Sequence, residues 1–446
     1  MGERIGVEHT TRAEKRRASR QLPKFLEALL AGNAVKPNLP ESPAIIRRMF
    51  QLPFDAPLVL VVIILIVFGL MMIFSASTDF SMVMLGEKPT YLFNRQLMWL
   101  GVGLAAATFL TFFDYHWWRK LAVPAMGVTL VLLLLVVITG EEILGSTRGL
   151  LNRSIQPSEV AKMITIIYLA VWLFSKRERL TSVTLGLLPL AGIIGIVGGL
   201  IWAQPDISAM ATVMVLGGLM FYLAGGEIRQ IAVLLLISLV VGLLVVQISA
   251  TGNQRFEDFL RGWKDPAEGS YHVKRTFEAF ARGGWIGQGI GKGETKYTGL
   301  PFPATDSIYA VVGEETGVLG SVFVVILFSL FLWRGLAIAR GAPDQMGTLI
   351  AAGLSLWITA EAFLNMAGVI NLLPVSGNVL PLFSAGGTNL TVTLAAVGTL
   401  LNISRLSVKA REENGRTFNA VVDLRRGDGR RRVSSARRTT VPRKRI

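Results

Sequence analysis

Long apolar segments recur along this chain and restrict its fold more than any other feature. Ten such segments lie near residues 56–76, 95–113, 119–139, 158–175, 182–203, 207–225, 228–250, 306–334, 347–372 and 384–404. About 20 mainly apolar residues span a bilayer as a helix, and a backbone surrounded by lipid must satisfy its own hydrogen bonds. The sequence therefore predicts an all-α polytopic membrane protein with about ten transmembrane helices.

The charged residues are few and are concentrated at the two ends of the chain. Only 17% of residues are charged and 52% are apolar, whereas soluble domains carry about 25% charged residues. Residues 1–54 hold ten Lys/Arg against five Glu, and residues 405–446 hold fourteen Lys/Arg against four Asp/Glu, which accounts for the net charge of +15. Basic flanks keep tails in the cytoplasm and against anionic lipid, so membrane lipid and not nucleic acid is the predicted partner of this charge.

The loop charges predict the topology. Lys and Arg occur in every second short loop, on the same side as both basic tails. This pattern places both termini in the cytoplasm and predicts the inner membrane as the location. Three regions follow: a basic cytoplasmic tail (1–55), a ten-helix domain (56–406) and a basic, disordered cytoplasmic tail (407–446). A large extracytoplasmic loop (251–305) connects helices 7 and 8. No cleavable signal peptide is predicted, because the first strongly apolar stretch begins near Ala56.

Residue types limit the available metal chemistry. The chain has no cysteine, and its three histidines, His9, His116 and His272, lie far apart in sequence. Neither a thiolate site nor a histidine-based metal site is predicted.

The segment from Leu300 to Glu315 holds the main candidate for catalysis, Asp306. Capping of the next helix by Thr305 or Asp306 is the simpler alternative. Capping does not explain Glu314 and Glu315, which lie about two turns into an apolar helix, where carboxylates are costly and indicate function. Asp306 is therefore the candidate catalytic carboxylate. Thr305, Glu314 and Glu315 are candidate supporting residues.

A second candidate begins at Gln156 and contains Glu159 and Lys162, three positions apart on a predicted helix. That spacing allows the two side chains to pair. With Arg148 and Arg153 in the preceding outer loop, Lys162 would place three cations near a helix N-terminus, which is suited to anion binding. Snorkelling of these long cations at the membrane interface is an equal alternative.

Other candidates lie on the predicted outer side. Asp206 begins a helix, where capping is an adequate explanation. The 251–305 loop supplies Arg255, Lys292 and Lys296 as candidate cations, together with a glycine-rich stretch (283–293) suited to tight turns. Residues 365–389 are interpreted as mainly structural, with Ser384 near an outer cavity.

These motifs resemble those of the SEDS family of membrane proteins, which includes FtsW and RodA. The matching pieces run in the family's order: Gly145–Arg148, Gln156–Glu159, Gln204–Asp206, Gly283–Gly289, Leu300–Glu315 and Pro374–Gly387. The chain departs from the family's pattern at Gly149, Thr298, Ala304 and in a usually Gln-rich stretch at residues 272–276.

The resemblance implies a peptidoglycan glycosyltransferase that polymerises lipid II outside the cytoplasmic membrane. Its implied partners are a class B penicillin-binding protein that acts as transpeptidase and the membrane proteins of the divisome or elongasome. The family's essential aspartate corresponds to Asp306, which would help to deprotonate the acceptor hydroxyl. Glu159, Ser384 and the cations named above would contact the lipid-linked substrate. No cofactor is assigned with certainty, although Mg²⁺ or Mn²⁺ could neutralise the pyrophosphate.

Two other functions fit a ten-helix protein with outer carboxylates. A transporter, such as a lipid II flippase, would favour charges at mid-bilayer and internal repeats, and neither is evident in the sequence. A scaffold that only activates a synthase would leave Asp306 without a chemical task. Within the family, the long basic tails favour an FtsW-like role in cell division over a RodA-like role in elongation.

Overall fold

The protein is described from a computed structural model. The described residues are 53–79, 81–82, 86–139, 156–180, 182–248, 250–265, 268–375 and 377–423. The N-terminal tail, most of the C-terminal tail, and Arg148, Arg153 and Gly149 lie outside the described residues.

The described residues form helices and connecting segments, without a strand. In chain order the α-helices are α1 (Ala56–Asp79), α2 (Tyr91–Phe112), α3 (Trp118–Thr139), α4 (Pro157–Lys176), α5 (Leu188–Trp202), α6 (Ile207–Leu223), α7 (Ile228–Ile248), α8 (Ala250–Lys264), α9 (Tyr271–Gly283), α10 (Ile308–Gly341), α11 (Gln345–Val369) and α12 (Gly387–Asp423). A π-helical turn, Val183–Leu187, precedes α5.

Every predicted apolar segment contains a helix, which confirms the all-α membrane architecture. Within the described residues, eight helical segments are long and apolar enough to cross a membrane, and they include all of the predicted segments except α2 and α6. Helix α2 has 22 residues and α6 has 17 residues. The protein is a multi-pass membrane protein, and the count of ten spans remains a prediction.

One predicted boundary differs from the structure, and one predicted loop contains helices. The connection predicted at 251–305 contains the helices α8 and α9, because amphipathic sequences in both can form a helix without spanning lipid. Helix α12 continues to Asp423, so the predicted domain boundary at residue 406 falls within this helix.

The centre of the bundle is formed by α4, α11 and α12. Of the eight candidate spans, these three have the largest buried share, whereas α7 is the most exposed. Helix α11 packs against α10, α4 and α6, and α12 packs along α2. Small residues allow this close approach: a Cβ on Gly398 would lie 2.3 Å from the carbonyl oxygen of Ala107.

Ion pairs join the predicted basic loops at one end of the bundle. Arg119 pairs with Asp344 at 2.9 Å, and Arg334 pairs with Asp55. Asp344 and Asp55 also cap α11 and α1 by accepting hydrogen bonds from backbone N–H groups. Loops that are distant in sequence therefore share this end. Arg334 lies near the C-terminal end of α10, whereas Asp306 precedes the N-terminus of the same helix.

Candidate functional site

Asp306 lies in a turn of residues 301–307 immediately before α10, and its side chain is partly buried. Helix α10 begins at Ile308 with Ser307 as its N-cap residue, and the Ser307 side chain makes no capping hydrogen bond. Thr305 Oγ1 donates to the carbonyl oxygen of Phe302 at 3.4 Å, and capping by Asp306 remains a prediction. Phe302, with φ of 48°, and the hydrogen bond from the Ser307 N–H to the Phe302 carbonyl at 3.2 Å close the turn.

The backbone of the 301–307 turn is held by the α11–α12 connection. Asn365 on α11 donates from Nδ2 to the carbonyl oxygen of Asp306 at 3.0 Å. Ser384 donates from Oγ to the carbonyl oxygen of Thr305 at 2.7 Å, and the Ala385 N–H donates to Ala304 at 2.8 Å. Three consecutive carbonyl groups are thus fixed from a segment that is about 60 to 80 residues away in sequence.

Ser384 has a defined structural task at this position. Its hydroxyl oxygen also accepts a hydrogen bond from the Leu380 N–H at 2.8 Å, and the residue is 4% exposed. Ser384 therefore joins two backbone segments beside the 301–307 turn, a contact that the sequence did not predict. Contact with substrate remains a prediction.

Glu159 and Lys162 form a buried ion pair, as their spacing of three residues predicts. Lys162 Nζ donates to Glu159 Oε1 at 2.9 Å and also to Glu361 of α11. Asn389 of α12 donates to the second oxygen of Glu159 at 2.9 Å. This buried charge cluster (Glu159, Lys162 and Glu361) joins the three central helices, and Lys162 is only 3% exposed.

The position of Lys162 differs from the predicted group of three outer cations. Its ammonium group lies between two carboxylates inside the bundle, because α11 brings Glu361 against α4. Gln156 is the N-cap residue of α4, and its N–H donates to Thr388 Oγ1 at 3.1 Å, so it fixes α4 to α12. In the described part of the chain, the Lys162 side chain and the Gln156 backbone therefore make contacts between helices, and contact of Lys162 with substrate remains a prediction.

Glu314 and Glu315 bind residues 284–300, which include most of the glycine-rich stretch 283–293 and are called the glycine-rich segment below. Glu314 accepts hydrogen bonds from the N–H groups of Glu294 at 2.9 Å and Thr295 at 3.1 Å. Glu315 accepts from Lys296 Nζ at 2.6 Å and from the Gly291 N–H at 2.9 Å. Both carboxylates are buried, and their negative charge is stabilised by these donors.

A break in α10 gives the glycine-rich segment its place. Gly317 has φ of 68° and ψ of −168°, which interrupts the helix. The freed N–H groups of Val318 and Leu319 donate to the carbonyls of Gly284 and Trp285 at 2.9 and 3.2 Å. A Cβ on Gly287 would lie 2.2 Å from the carbonyl oxygen of Glu315, so only glycine permits this approach.

The three predicted loop cations have different environments. Lys296 is 5% exposed and is paired with Glu315, and its ammonium group also donates to Ser75 Oγ of α1 at 2.6 Å. Lys292 is exposed on the glycine-rich segment. Arg255 lies on α8 beside a cavity of about 30 Å³, which is also lined by Asp258, Ser270, Val273 and Asn371.

Asp206 acts as a helix cap. Its carboxylate accepts hydrogen bonds from the Ala209 N–H at 3.2 Å and from Ser208 Oγ at 3.0 Å. The structure therefore realises the capping alternative for this residue.

Sequence reasoning gave no functional role to Glu361, Asn365, Asn389 or His272. A carboxylate within an apolar helix is a usable signal for Glu361. The partners of the other three are fixed only by packing between distant helices. Among the described residues, no group of three or more His, Asp and Glu is placed to hold a metal ion.

The chain is similar to a large set of known proteins. A family model described as "Cell cycle protein", for FtsW, RodA and SpoVE, matches residues 56–409. Stage V sporulation protein E of Bacillus subtilis is 36% identical over 79% of this chain and 97% of that protein. The probable peptidoglycan glycosyltransferase FtsW of Trichlorobacter lovleyi is 35% identical over 81% of this chain and 96% of that protein.

Solved structures share the fold. A chain of a peptidoglycan synthase complex that coordinates polymerization and crosslinking aligns with a TM-score of 0.66 and 27% identity, over 80% of this chain and 99% of that chain. The rod shape determining protein RodA of Thermus thermophilus aligns with a TM-score of 0.57 and 26% identity, over 80% and 98% of the two chains.

Proposed function

Because the chain belongs to the FtsW, RodA and SpoVE family of cell cycle proteins, we propose that it is a peptidoglycan glycosyltransferase. In this proposal it polymerises lipid II into glycan strands at the outer face of the cytoplasmic membrane. The names of its relatives support the activity. Both termini lie in the cytoplasm, and a class B penicillin-binding protein crosslinks the product. The relatives named FtsW and the long basic tails favour a role in cell division.

The fixed position of Asp306 is the observation that carries this proposal. Asn365 and Ser384 bind the carbonyl groups of Asp306 and Thr305, so the backbone that bears the carboxylate cannot rotate freely. A general base is effective only when it is held within hydrogen-bonding distance of the proton that it accepts. A partly buried carboxylate on a fixed turn is suited to such a role, which supports the proposal.

In the proposed reaction, Asp306 accepts the proton of the acceptor sugar's hydroxyl group. The hydroxyl oxygen forms a bond to the anomeric carbon of the donor, and the bond from that carbon to the pyrophosphate oxygen breaks. Undecaprenyl pyrophosphate leaves with the electron pair, and the proton passes from Asp306 to solvent. Cations stabilise the negative charge on the leaving group.

We assign pyrophosphate binding to those candidate cations whose side chains are exposed or border a cavity. Lys292 is exposed and Arg255 borders the cavity beside α9, so both can approach an anionic headgroup. Arg148 and Arg153 are retained in this role from the sequence. Lys162 and Lys296 are buried against carboxylates, and we assign them to holding the helices and the glycine-rich segment. No step is assigned to Mg²⁺ or Mn²⁺.

Polymer synthesis by the purified protein tests the proposal. The protein and its transpeptidase partner are supplied with fluorescent lipid II, and the products are separated by gel electrophoresis. We expect glycan polymer with the wild type, and at least about a hundredfold less with Asp306→Asn, which keeps size but loses the base. Glu257→Gln changes an exposed carboxylate on α8 and serves as the matched control.

Two results would contradict the proposal. Full activity of Asp306→Asn would exclude the carboxylate as the base. Movement of labelled lipid II between leaflets of vesicles, with no polymer under any condition, would favour the flippase alternative.

A further inference from the structure

His272 contacts the residue that follows Asp306. Ser270 caps α9 by accepting a hydrogen bond from the Val273 N–H at 3.3 Å, which places His272 in the first turn of that helix. Its Nε2 atom lies 2.9 Å from Ser307 Oγ. Ser307 is fully buried between Asp306 and the start of α10. The imidazole is therefore linked to the 301–307 turn through one side chain.

The hydrogen bonds of Ser307 assign the tautomer of His272. A serine hydroxyl has one proton, and Ser307 Oγ bonds to the carbonyl oxygen of Pro301, which can only accept. The hydroxyl proton is thus used on Pro301, so Ser307 Oγ accepts its second hydrogen bond from His272. Nε2 carries the proton in the neutral ring, and Nδ1 is the basic nitrogen.

Burial and one positive charge on a packed neighbour oppose protonation of this ring. Burial and the nearby positive charge of Arg255 on α8 lower the pKa of His272 below 6.5. Asp258, also on α8, lies on the cavity that Arg255 borders, and Asp306 lies one residue from Ser307. The imidazole is consequently neutral at pH 7 and gains a proton only in more acidic solution.

The charged groups on α9 itself are directed elsewhere. Arg275 pairs with Glu278 and donates to Thr298 Oγ1 at 2.7 Å. Lys274 and the phenol of Tyr271 are exposed. The charged residues on the elements around His272 are thus Arg255, which opposes protonation of the ring, and the acidic residues Asp258 on the same helix as Arg255 and Asp306 next to Ser307.

We propose that His272 is a positioning residue that holds the Asp306 turn through Ser307 and lowers the rate of glycosyl transfer when it is protonated. This inference rests on the proposed function. The Nε2–H bond to Ser307 persists in both charge states, because imidazolium donates from both nitrogens. Protonation therefore keeps the geometry and adds a positive charge near Asp306. That charge stabilises the ionised carboxylate and makes it a weaker base.

The pH dependence of polymer synthesis tests this role. For the wild type we expect kcat to fall about two- to fourfold between about pH 7.5 and pH 5.5, which is less than an imidazole of ordinary pKa would give and lies above the ordinary pKa of an aspartate. His272→Gln keeps an N–H donor near the position of Nε2 but cannot be protonated. Its kcat should stay within about threefold of the wild type at pH 7.5 and lose the decrease above pH 5.5.

Two further variants separate positioning from general destabilisation. His272→Ala and Ser307→Ala each remove the link, so each should lower kcat about tenfold at pH 7.5 with little change in KM. The double variant should be no slower than the slower single variant, because both changes break one link. His116→Gln, at the opposite end of the bundle beside Asp114, is the matched histidine control and should retain the decrease at acidic pH.

Each outcome has one meaning. If the wild type forms no polymer, the proposed function fails. If the wild type is active and His272→Gln keeps the full decrease between pH 7.5 and 5.5, the inference about His272 is wrong and the proposed function stands. Additive losses in the double variant would also overturn the inference.

Discussion

The side chain of Asn365 donates a hydrogen bond to the carbonyl oxygen of Asp306 at 3.0 Å and another to the carbonyl of Asn378 at 2.6 Å. One amide group on α11 thereby ties the turn before α10 to the segment after α11. Because Asn365 is only 3% exposed, water cannot readily replace it as the donor. The position of the candidate base therefore depends on a side chain of another helix, α11.

Loss of the Asn365 amide should impair catalysis more than stability. We expect Asn365→Ala to lower kcat about 10- to 100-fold, because a displacement of the carboxylate by about 1 Å reduces the rate by that order. Asn402→Ala is a matched control, since Asn402 is also buried and binds two backbone groups, Tyr115 N–H and the Thr111 carbonyl, at the other end of the bundle. Steady-state polymer synthesis and thermal unfolding of both variants provide the comparison. Equal losses of kcat in the two variants would contradict a specific role for Asn365.

The buried charge cluster predicts a large effect on stability. Lys162→Met leaves Glu159 and Glu361 without their shared cation, and we expect a destabilisation of about 3–5 kcal/mol. The triple variant with Glu159→Gln and Glu361→Gln removes the uncompensated charges and should recover most of the apparent Tm in detergent. A triple variant as unstable as Lys162→Met would show that the charges are not the cause.

Alanine substitutions at two glycines test the contact between the glycine-rich segment and α10 at its break. Gly287 and Gly291 have similar φ angles of 83° and 81°, so alanine costs a similar backbone strain at both. A Cβ on Gly287 would overlap the Glu315 carbonyl, whereas a Cβ on Gly291 would meet open space. We expect Gly287→Ala to lower the apparent Tm and the yield of folded protein markedly, and Gly291→Ala to cost about 1–2 kcal/mol. Similar melting curves for the two variants would argue against the close approach.

Asp206 should be replaceable by another capping residue. Asn keeps an oxygen acceptor for the Ala209 N–H, so we expect Asp206→Asn to retain both stability and polymer synthesis. Asp206→Ala should lose about 1 kcal/mol of stability and retain kcat once folded. Loss of activity in a stable Asp206→Asn protein would instead indicate a contact with substrate.

Local patterns in the sequence predicted the apolar helices, although not α8 and α9, and several helix contacts. The apolar runs are long enough to form α1, α3 and α10, and no longer-range information was needed to find them. The pairing of Glu159 with Lys162 followed from a spacing of one helical turn, and the cap at Asp206 from its place before an apolar run. Asp306 is a candidate because it precedes an apolar helix that carries Glu314 and Glu315, and the resemblance to the SEDS family agrees with that choice.

The tertiary structure decided which distant residues meet. Glu361 lies 199 positions from Lys162, and Ser384 lies 79 positions from Thr305, yet each pair is in hydrogen-bond contact. No local periodicity encodes such contacts, because they arise from the register in which apolar helices pack inside the bundle. The same packing brought Glu314 and Glu315 to the glycine-rich segment and His272 to Ser307. The sequence alone thus determined which helices form, and packing between them determined what holds Asp306 in place.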